Sequence, residues 1–273
     1  MTHAAGLTKI LDHARASQGP VAVLTGAGIS AESGIPTFRG PEGYWTVGSR
    51  NYQPEELATL AAFSHMPLEI WAWYLYRLGT CRAAQPNVAH TALAALERHY
   101  GERATLITQN VDGLHLRAGN TPARTFQIHG NIELMRCARE CHRDLHPIPA
   151  AVATKGRGEI LTPAEATLLR CPRCAGLARP HVLWFDETYD EPYFRFQSSL
   201  TVAQRCRLLI VVGTQGNTNL PHHVVNLALA SGAVVIDINP QRNPFSQLAE
   251  IGGGLWLQGT ATDHLPGIVE ALC

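Results

Sequence analysis

Six short apolar runs punctuate the chain, and most of them end at a turn-forming residue. They are Val21–Thr25, Thr105–Thr108, Thr125–Ile128, Leu208–Gly213, Val234–Ile238 and Leu255–Leu257. Each has the length of a strand. Between most of them lie Ala- and Leu-rich segments such as Thr91–His99 and Val224–Ser231, which predict helices. Ahead of the first run, Leu7, Ile10, Leu11 and Ala14 recur at helical spacing and predict an amphipathic first helix. Strands alternating with helices predict an α/β fold with a parallel sheet covered by helices on both faces. Six strands in two groups of three predict the doubly wound, Rossmann-like form of that fold.

Two segments break the alternation. Gly40–Pro86 is too long for a crossover and carries Tyr44, Trp45, Tyr52, Phe63, Trp71, Trp73, Tyr74 and Tyr76. Asn131–Arg179 carries two close cysteine pairs and falls between the two strand triplets, where an insertion leaves each half intact. The expected organisation is a dinucleotide-binding domain in three parts, residues 1–40, 87–130 and 180–273. It is interrupted by a loop end and helical insertion at 41–86 and by a small zinc-binding module at 131–179.

Composition narrows the function. With 273 residues, 45% hydrophobic and 16% charged, a packed core is within reach. Lys+Arg and Asp+Glu both number 22, which argues against a nucleic-acid clamp or a polybasic membrane anchor. No apolar stretch approaches the about 20 residues of a membrane span, and the start lacks a signal peptide's continuous apolar segment. A cytoplasmic protein with no nucleic-acid or membrane partner is expected; oligomeric state is left open.

The first strand runs into Gly26-Ala27-Gly28-Ile29-Ser30-Ala31. In a Gly-x-Gly-x-x-Ala turn the first glycine permits a tight turn, the second lets backbone approach a pyrophosphate, and the small third residue lets helix and strand pack closely. An ordinary glycine turn would look the same; its place after the first strand favours the dinucleotide reading. The acidic ribose ligand of a dehydrogenase is missing, since the second strand ends in Thr108-Gln109-Asn110. Glu32-Ser33-Gly34-Ile35-Pro36-Thr37-Phe38-Arg39-Gly40 reads as a loop able to close an aromatic ring over a ligand. Ligands of open parallel sheets sit beyond the carboxyl ends of strands, so Gln109, Asn110, Asp112 and His129 are expected to face one crevice with Gly26. Turn capping for Asn110 and Asp112, and core packing for His129, remain the plainer alternatives.

Cys137-Ala-Arg-Glu-Cys141 and Cys171-Pro-Arg-Cys174 suit a closed, structural, tetrahedral zinc site. His142 is an alternative ligand beside the longer first pair. Cys81, Cys206 and Cys273 have no partner pattern.

Gly26 through Gly40, Thr108-Gln109-Asn110-Val111-Asp112-Gly113-Leu114-His115, His129-Gly130 and Pro180-His181-Val182-Leu183-Trp184-Phe185 together resemble the ordered signatures of the sirtuins, NAD-dependent protein-lysine deacylases. The resemblance implies NAD as co-substrate, bound by Gly26, Ala27, Gly28, Ile29, Thr37, Phe38, Arg39, Gln109, Asn110, Asp112, Gly213, Thr214, Gln215 and Asn239. It implies that Asn110 and Asp112 hold the nicotinamide carboxamide beside Ile29, with Asn110 and His129 as catalytic residues. Gln109 and His129 approach the nicotinamide ribose, and His129 is its general base, with a pKa expected near neutrality. Phe38 shields the reactive centre, and Arg39 meets the diphosphate or orders the loop. The acyl-lysine carbonyl oxygen attacks the anomeric carbon, nicotinamide leaves, and the acyl group passes to ADP-ribose. Val182 and Phe185 border the strand-like site for the substrate peptide. Tyr74 and Arg77 match the Tyr-x-x-Arg pair of the desuccinylase and demalonylase subgroup. Gln215 and Asp186 depart from the family's usual Ser and Gly, and the first cysteine pair is one residue longer than usual. Mono-ADP-ribosyl transfer, NAD hydrolysis or a non-enzymatic NAD-binding regulator are the alternatives.

Overall fold

The computed structural model describes residues 3–36, 45–47 and 50–273. Among the described residues eleven strands are formed: β1 Val21–Thr25, β2 Trp45–Val47, β3 Arg50–Tyr52, β4 Ala104–Thr108, β5 Thr125–Gln127, β6 Gly130–Cys137, β7 His146–Pro147, β8 Ala178–Val182, β9 Leu208–Val212, β10 Val234–Asn239 and β11 Leu255–Gln258. Six of them build one parallel sheet in the order β11-β10-β9-β1-β4-β5. All six strands predicted from the apolar runs are present in that sheet. In chain order the sheet reads sixth, fifth, fourth, first, second, third, so its direction of winding reverses between β1 and β9. That is the topological switch point, where open α/β sheets bind ligands.

Successive residues of a strand face opposite sides, and the sheet follows that rule. Val23, Leu106, Ile210 and Ile236 pack on one side against the helices His3–Ser17, Val88–Tyr100 and Ala261–Leu272. Ala22, Leu24, Ile107, Leu209, Val211 and Val235 pack on the other, against Phe196–Arg205, Asn219–Ala230 and Pro244–Ile251. β1 and β9 are buried along their whole length. Apolar runs five residues long are what such doubly covered strands require.

A second, smaller lobe has its own core. The helix Pro67–Ala83 buries Trp71, Trp73, Tyr74, Leu75 and Leu78 against Ile132, Met135, Val182 and Trp184. It packs on the three-stranded antiparallel sheet β7-β6-β8. The aromatic-rich segment that interrupts the strand pattern therefore supplies this core, with β2 and β3 forming a hairpin in its first half. Among the described residues no helix is long and apolar enough to cross a membrane.

Candidate active site

At the switch point the loops after β1 and β9 touch backbone to backbone. Gly26 N–H donates to the Val212 carbonyl at 2.9 Å and Gly28 N–H to the Gly213 carbonyl at 2.8 Å. A Cβ on Gly28 would lie 2.6 Å from the Gly213 Cα, and one on Gly213, whose φ is +61°, would lie 2.6 Å from the Ile29 nitrogen. The glycines thus have a packing role beyond the one the motif suggests: they let two loops interlock beneath the crevice.

The other strand ends converge on this point. Gln109, just past β4, donates from Nε2 to Thr214 Oγ1 at 2.8 Å, and Asn239, ending β10, donates from Nδ2 to the Thr214 carbonyl at 3.2 Å. Asn239 is itself held at 3.0 Å by Asp237, a fully buried acid that also accepts from Ser246 and Asn243. Burial pushes the Asp237 carboxyl upward, and those three donors pull it back. Thr214 is buried, whereas Gln215 is exposed. Thr37, Phe38 and Arg39 lie outside the described residues.

Asn110 and Asp112 are buried side by side and meet at Ser30. Asn110 Nδ2 donates to Ser30 Oγ at 3.1 Å, and Ser30 Oγ donates to Asp112 Oδ2 at 2.8 Å. The other Asp112 oxygen accepts from Leu114 N–H at 2.8 Å. One oxygen therefore caps a local turn, and the second reaches back to the helix that follows β1. Burial raises the Asp112 pKa; the Leu114 and Ser30 hydrogen bonds and the charges of Arg117 and Arg77 oppose that rise. Ile29, fully buried, packs into the sheet core beneath. His115 serves as a packing residue: it is 2% exposed, and its Nε2 donates to Thr25 Oγ1 at 3.0 Å.

His129 follows β5. Its Nδ1 lies 3.0 Å from the Gln109 carbonyl, and its Nε2 lies 2.8 Å from the Tyr189 hydroxyl. A carbonyl only accepts, so Nδ1 carries the proton. Burial lowers the ring's pKa to about 4, the Gln109 bond opposing the fall. The near-neutral value expected from sequence is displaced by enclosure of the ring. At physiological pH His129 is thus a neutral base with its one lone pair on Nε2.

Across from the sheet, Tyr74 is 2% exposed, and its oxygen accepts from the Trp184 indole at 2.9 Å. Burial pushes its phenol up to about 12, while the charge of Arg77 pulls it down. Arg77 is half-buried, with its guanidinium 5.0 Å from the Trp73 ring centre. Its charge bears on Asp112 as well as on Tyr74. Trp184 also lies under Arg179, whose guanidinium pairs with Glu187 at 2.5 and 2.8 Å. Val182 is buried at the end of β8, and Phe185 is 55% exposed. Phe185 N–H donates to the Ala58 carbonyl at 2.9 Å, and Asp186 accepts from Leu60 and Ala61 N–H at 2.7 and 3.1 Å. The acid at 186 therefore ties this segment to the start of the helix Leu60–His65.

The four sulfurs of Cys137, Cys141, Cys171 and Cys174 lie within 4.8 Å of one another, with 3.6 Å separating Cys137 from Cys174 and Cys141 from Cys171. A tetrahedral ion with Zn–S bonds of about 2.3 Å needs sulfurs about 3.8 Å apart, so the cluster fits and could hold zinc. The extra residue in the first pair is absorbed without loss of a ligand. His142 has a different part: its Nδ1 accepts from Asp144 N–H at 3.0 Å, which leaves Nε2–H to donate to the Cys171 sulfur at 3.1 Å.

Sequence reasoning missed Ser30, Asp237 and Tyr189. Asp237 had a signal, a lone acid within the run Val-Val-Ile-Asp-Ile-Asn. Ser30 stood inside the glycine motif, but nothing local shows that it would join Asn110 to Asp112. Tyr189 sits in an unpatterned polar segment.

Residues 26–219 match the model of the Sir2 family. A curated NAD-dependent protein deacylase of Leptospira interrogans is 39% identical over 92% of both chains. One of Aeropyrum pernix is 40% identical over 84% of both. Among solved structures, a Sir2 homologue in complex with NAD shares 32% identity, with a TM-score of 0.78 over 100% of this chain and 94% of that one. A complex of Sir2, a p53 peptide and NAD+ shares 27% identity, with a TM-score of 0.75 over 96% and 95%. The chain belongs to the Sir2 family. It is an enzyme of that family.

Proposed function

We propose that this protein is an NAD-dependent protein-lysine deacylase, taking the acyl group from a lysine side chain to ADP-ribose and releasing nicotinamide. The observation that carries this reading is the meeting of five strand ends in one crevice. Gly26–Ile29, Gln109–Asp112, His129, Gly213–Thr214 and Asn239 stand together there, with a neutral histidine held by its Nδ1 proton. Buried Asn110 and Asp112 offer an amide and a carboxylate suited to a carboxamide. His129 has the free-base form that a general base toward a ribose hydroxyl needs. Ala27, Thr37, Phe38, Arg39 and Gln215 complete the expected NAD contacts.

Peptide would add as a strand between Val182–Phe185 and the segment at Gly216; a Sir2 solved with a p53 peptide supports peptide binding as such. Tyr74 and Arg77 would read the acyl group. Arg77 lies three residues from Tyr74 on the same helix face, and its charge acts on Tyr74. A carboxylate at the acyl end would gain charge-assisted bonds there, so succinyl- and malonyl-lysine are the favoured substrates and acetyl-lysine a slower one. One zinc on Cys137, Cys141, Cys171 and Cys174 would be structural.

Incubation of NAD with a panel of acyl-peptides, read by mass spectrometry, tests the reading. The expected result is O-acyl-ADP-ribose formed together with nicotinamide. Equal nicotinamide release with and without peptide would instead make the protein an NAD hydrolase.

A further inference from the structure

His129 has one acceptor site, and it is occupied from within the chain. With Nδ1–H given to the Gln109 carbonyl, the Nε2 lone pair faces the Tyr189 hydroxyl at 2.8 Å. Burial pushes the Tyr189 phenol up to about 12, so it is a protonated donor. The two rings lie 5.8 Å apart, and Phe196 stacks beyond Tyr189 at 6.3 Å. The segment that presents the phenol is pinned on both sides. Glu187 accepts from Trp184 N–H at 2.9 Å and from Arg179, and Asp190 accepts from Tyr193 N–H at 2.9 Å. Thr218 donates to Gln109 Oε1 at 3.3 Å.

We propose that Tyr189 is a positioning residue that plugs the base: its phenol fills the Nε2 site of His129 until the nicotinamide ribose displaces it. This rests on the assignment of His129 as general base toward that ribose. One lone pair accepts one good hydrogen bond, so a ribose hydroxyl and the phenol exclude each other. Until displacement the one lone pair of the base stays occupied, while Gln109 holds its tautomer. The cost of displacement falls on cofactor binding.

The test is the replacement Tyr189→Phe in the full, zinc-loaded chain, which keeps the ring stacking and removes only the hydroxyl. ADP-ribose binding by calorimetry should tighten about two- to tenfold, the worth of one net hydrogen bond, and KM for NAD should fall by the same factor. In the His129→Ala background the same replacement should leave ADP-ribose affinity unchanged, because the contact is already gone. Unchanged or weaker binding with His129 present overturns the proposal, and so does a gain that survives in the His129→Ala background. A tenfold fall in kcat at unchanged KM overturns it as well, since the phenol would then take part in proton transfer. The general-base reading fails by a separate sign: near-wild-type turnover of folded His129→Ala, whatever the affinity cycle shows.

Discussion

The parallel-sheet unit and the smaller lobe are built in different ways and face each other with different chemistry. The sheet unit is held by apolar side chains alternating onto two helical layers, and its polar groups gather at the strand ends. The smaller lobe packs one aromatic helix on a three-stranded sheet. It also buries cations, where the sheet unit buries acids: Arg179 is 2% exposed and Arg136 3% exposed, both turned toward Glu187. It carries the four sulfurs as well. A metal held by those sulfurs would staple the loops after β6 to those before β8. In the proposed reaction the sheet unit handles what every substrate shares, the cofactor and the proton. The lobe handles what differs, the acyl group.

Removal of zinc should have the largest effect, because structural zinc sites contribute on the order of 10 kcal/mol to folding. Chelation, or Cys171→Ser, should unfold the lobe and abolish turnover of every acyl-peptide. The parallel sheet should keep its protected amides in hydrogen exchange. Metal analysis of folded, active protein that found no zinc would break the contrast at its root.

His129→Ala comes next. Loss of a general base slows turnover by about two to four decades. The loss should be equal for acetyl-, malonyl- and succinyl-peptides, since the ribose proton is common to all. Unequal losses would put acyl recognition on the sheet side.

Arg77→Met should do the reverse and change the ratio. A hydrogen bond to a charged group is worth roughly 1.5–3 kcal/mol, or about one to two decades. Desuccinylation should therefore fall that far while deacetylation holds or improves. Parallel losses in both activities would return Arg77 to the role of a helix residue and leave the lobe without a part in selectivity.

Acid should weaken both regions together. Burial lowers His90 and His129 on the sheet side to about 4, and His181 on the lobe side to about 3, from an ordinary 6.5. Above 6.5 the ring is neutral whether folded or unfolded, and pH has no leverage. Below 6.5 the unfolded chain takes up protons that the folded one refuses. Stability should then decline by up to about 1.4 kcal/mol per pH unit for each histidine until its folded pKa is reached. Calorimetric melting at pH 7, 6 and 5 checks this; a Tm that rose over that range would show the rings to be charged in the fold.

Tyr74→Phe is the smallest step. It removes one neutral donor beside Arg77 and should lower the succinyl-to-acetyl ratio only a few-fold, measured on the same peptide pair as for Arg77→Met. A larger shift than that of Arg77→Met would invert the order of the two residues.

What could be read from sequence follows the same division. The six strands were legible because strands buried on both faces are uninterrupted apolar runs, as at Leu208–Val212. The crevice residues were legible because they sit in short motifs directly after those runs. The lobe was harder. Its aromatic helix looked like an interruption, β8 carries Arg179 and His181 within a fully buried strand, and the β2–β3 hairpin has no sequence pattern to announce it. Contacts between distant segments were not legible at all. Ser30 meets Asp112 from 82 positions away, and His129 meets Tyr189 from 60. Spacing rules describe neighbours on one element, and these pairs exist only once the fold has closed.

The interlocked glycines also bear on how this chain can be varied. Gly28 and Gly213 come from opposite halves of the sequence, yet neither leaves room for a methyl group on the other. A saturation library at the two positions should return almost nothing but glycine. No second change should rescue a substitution, because the obstructing atoms are backbone and cannot be mutated away. Gly34 has a φ of +84° and, among the described residues, nothing within 4 Å of a Cβ, so the only cost there is backbone strain, and asparagine should pay the least of it. Recombination between relatives should likewise tolerate a crossover anywhere between the two loops only if both glycines are inherited.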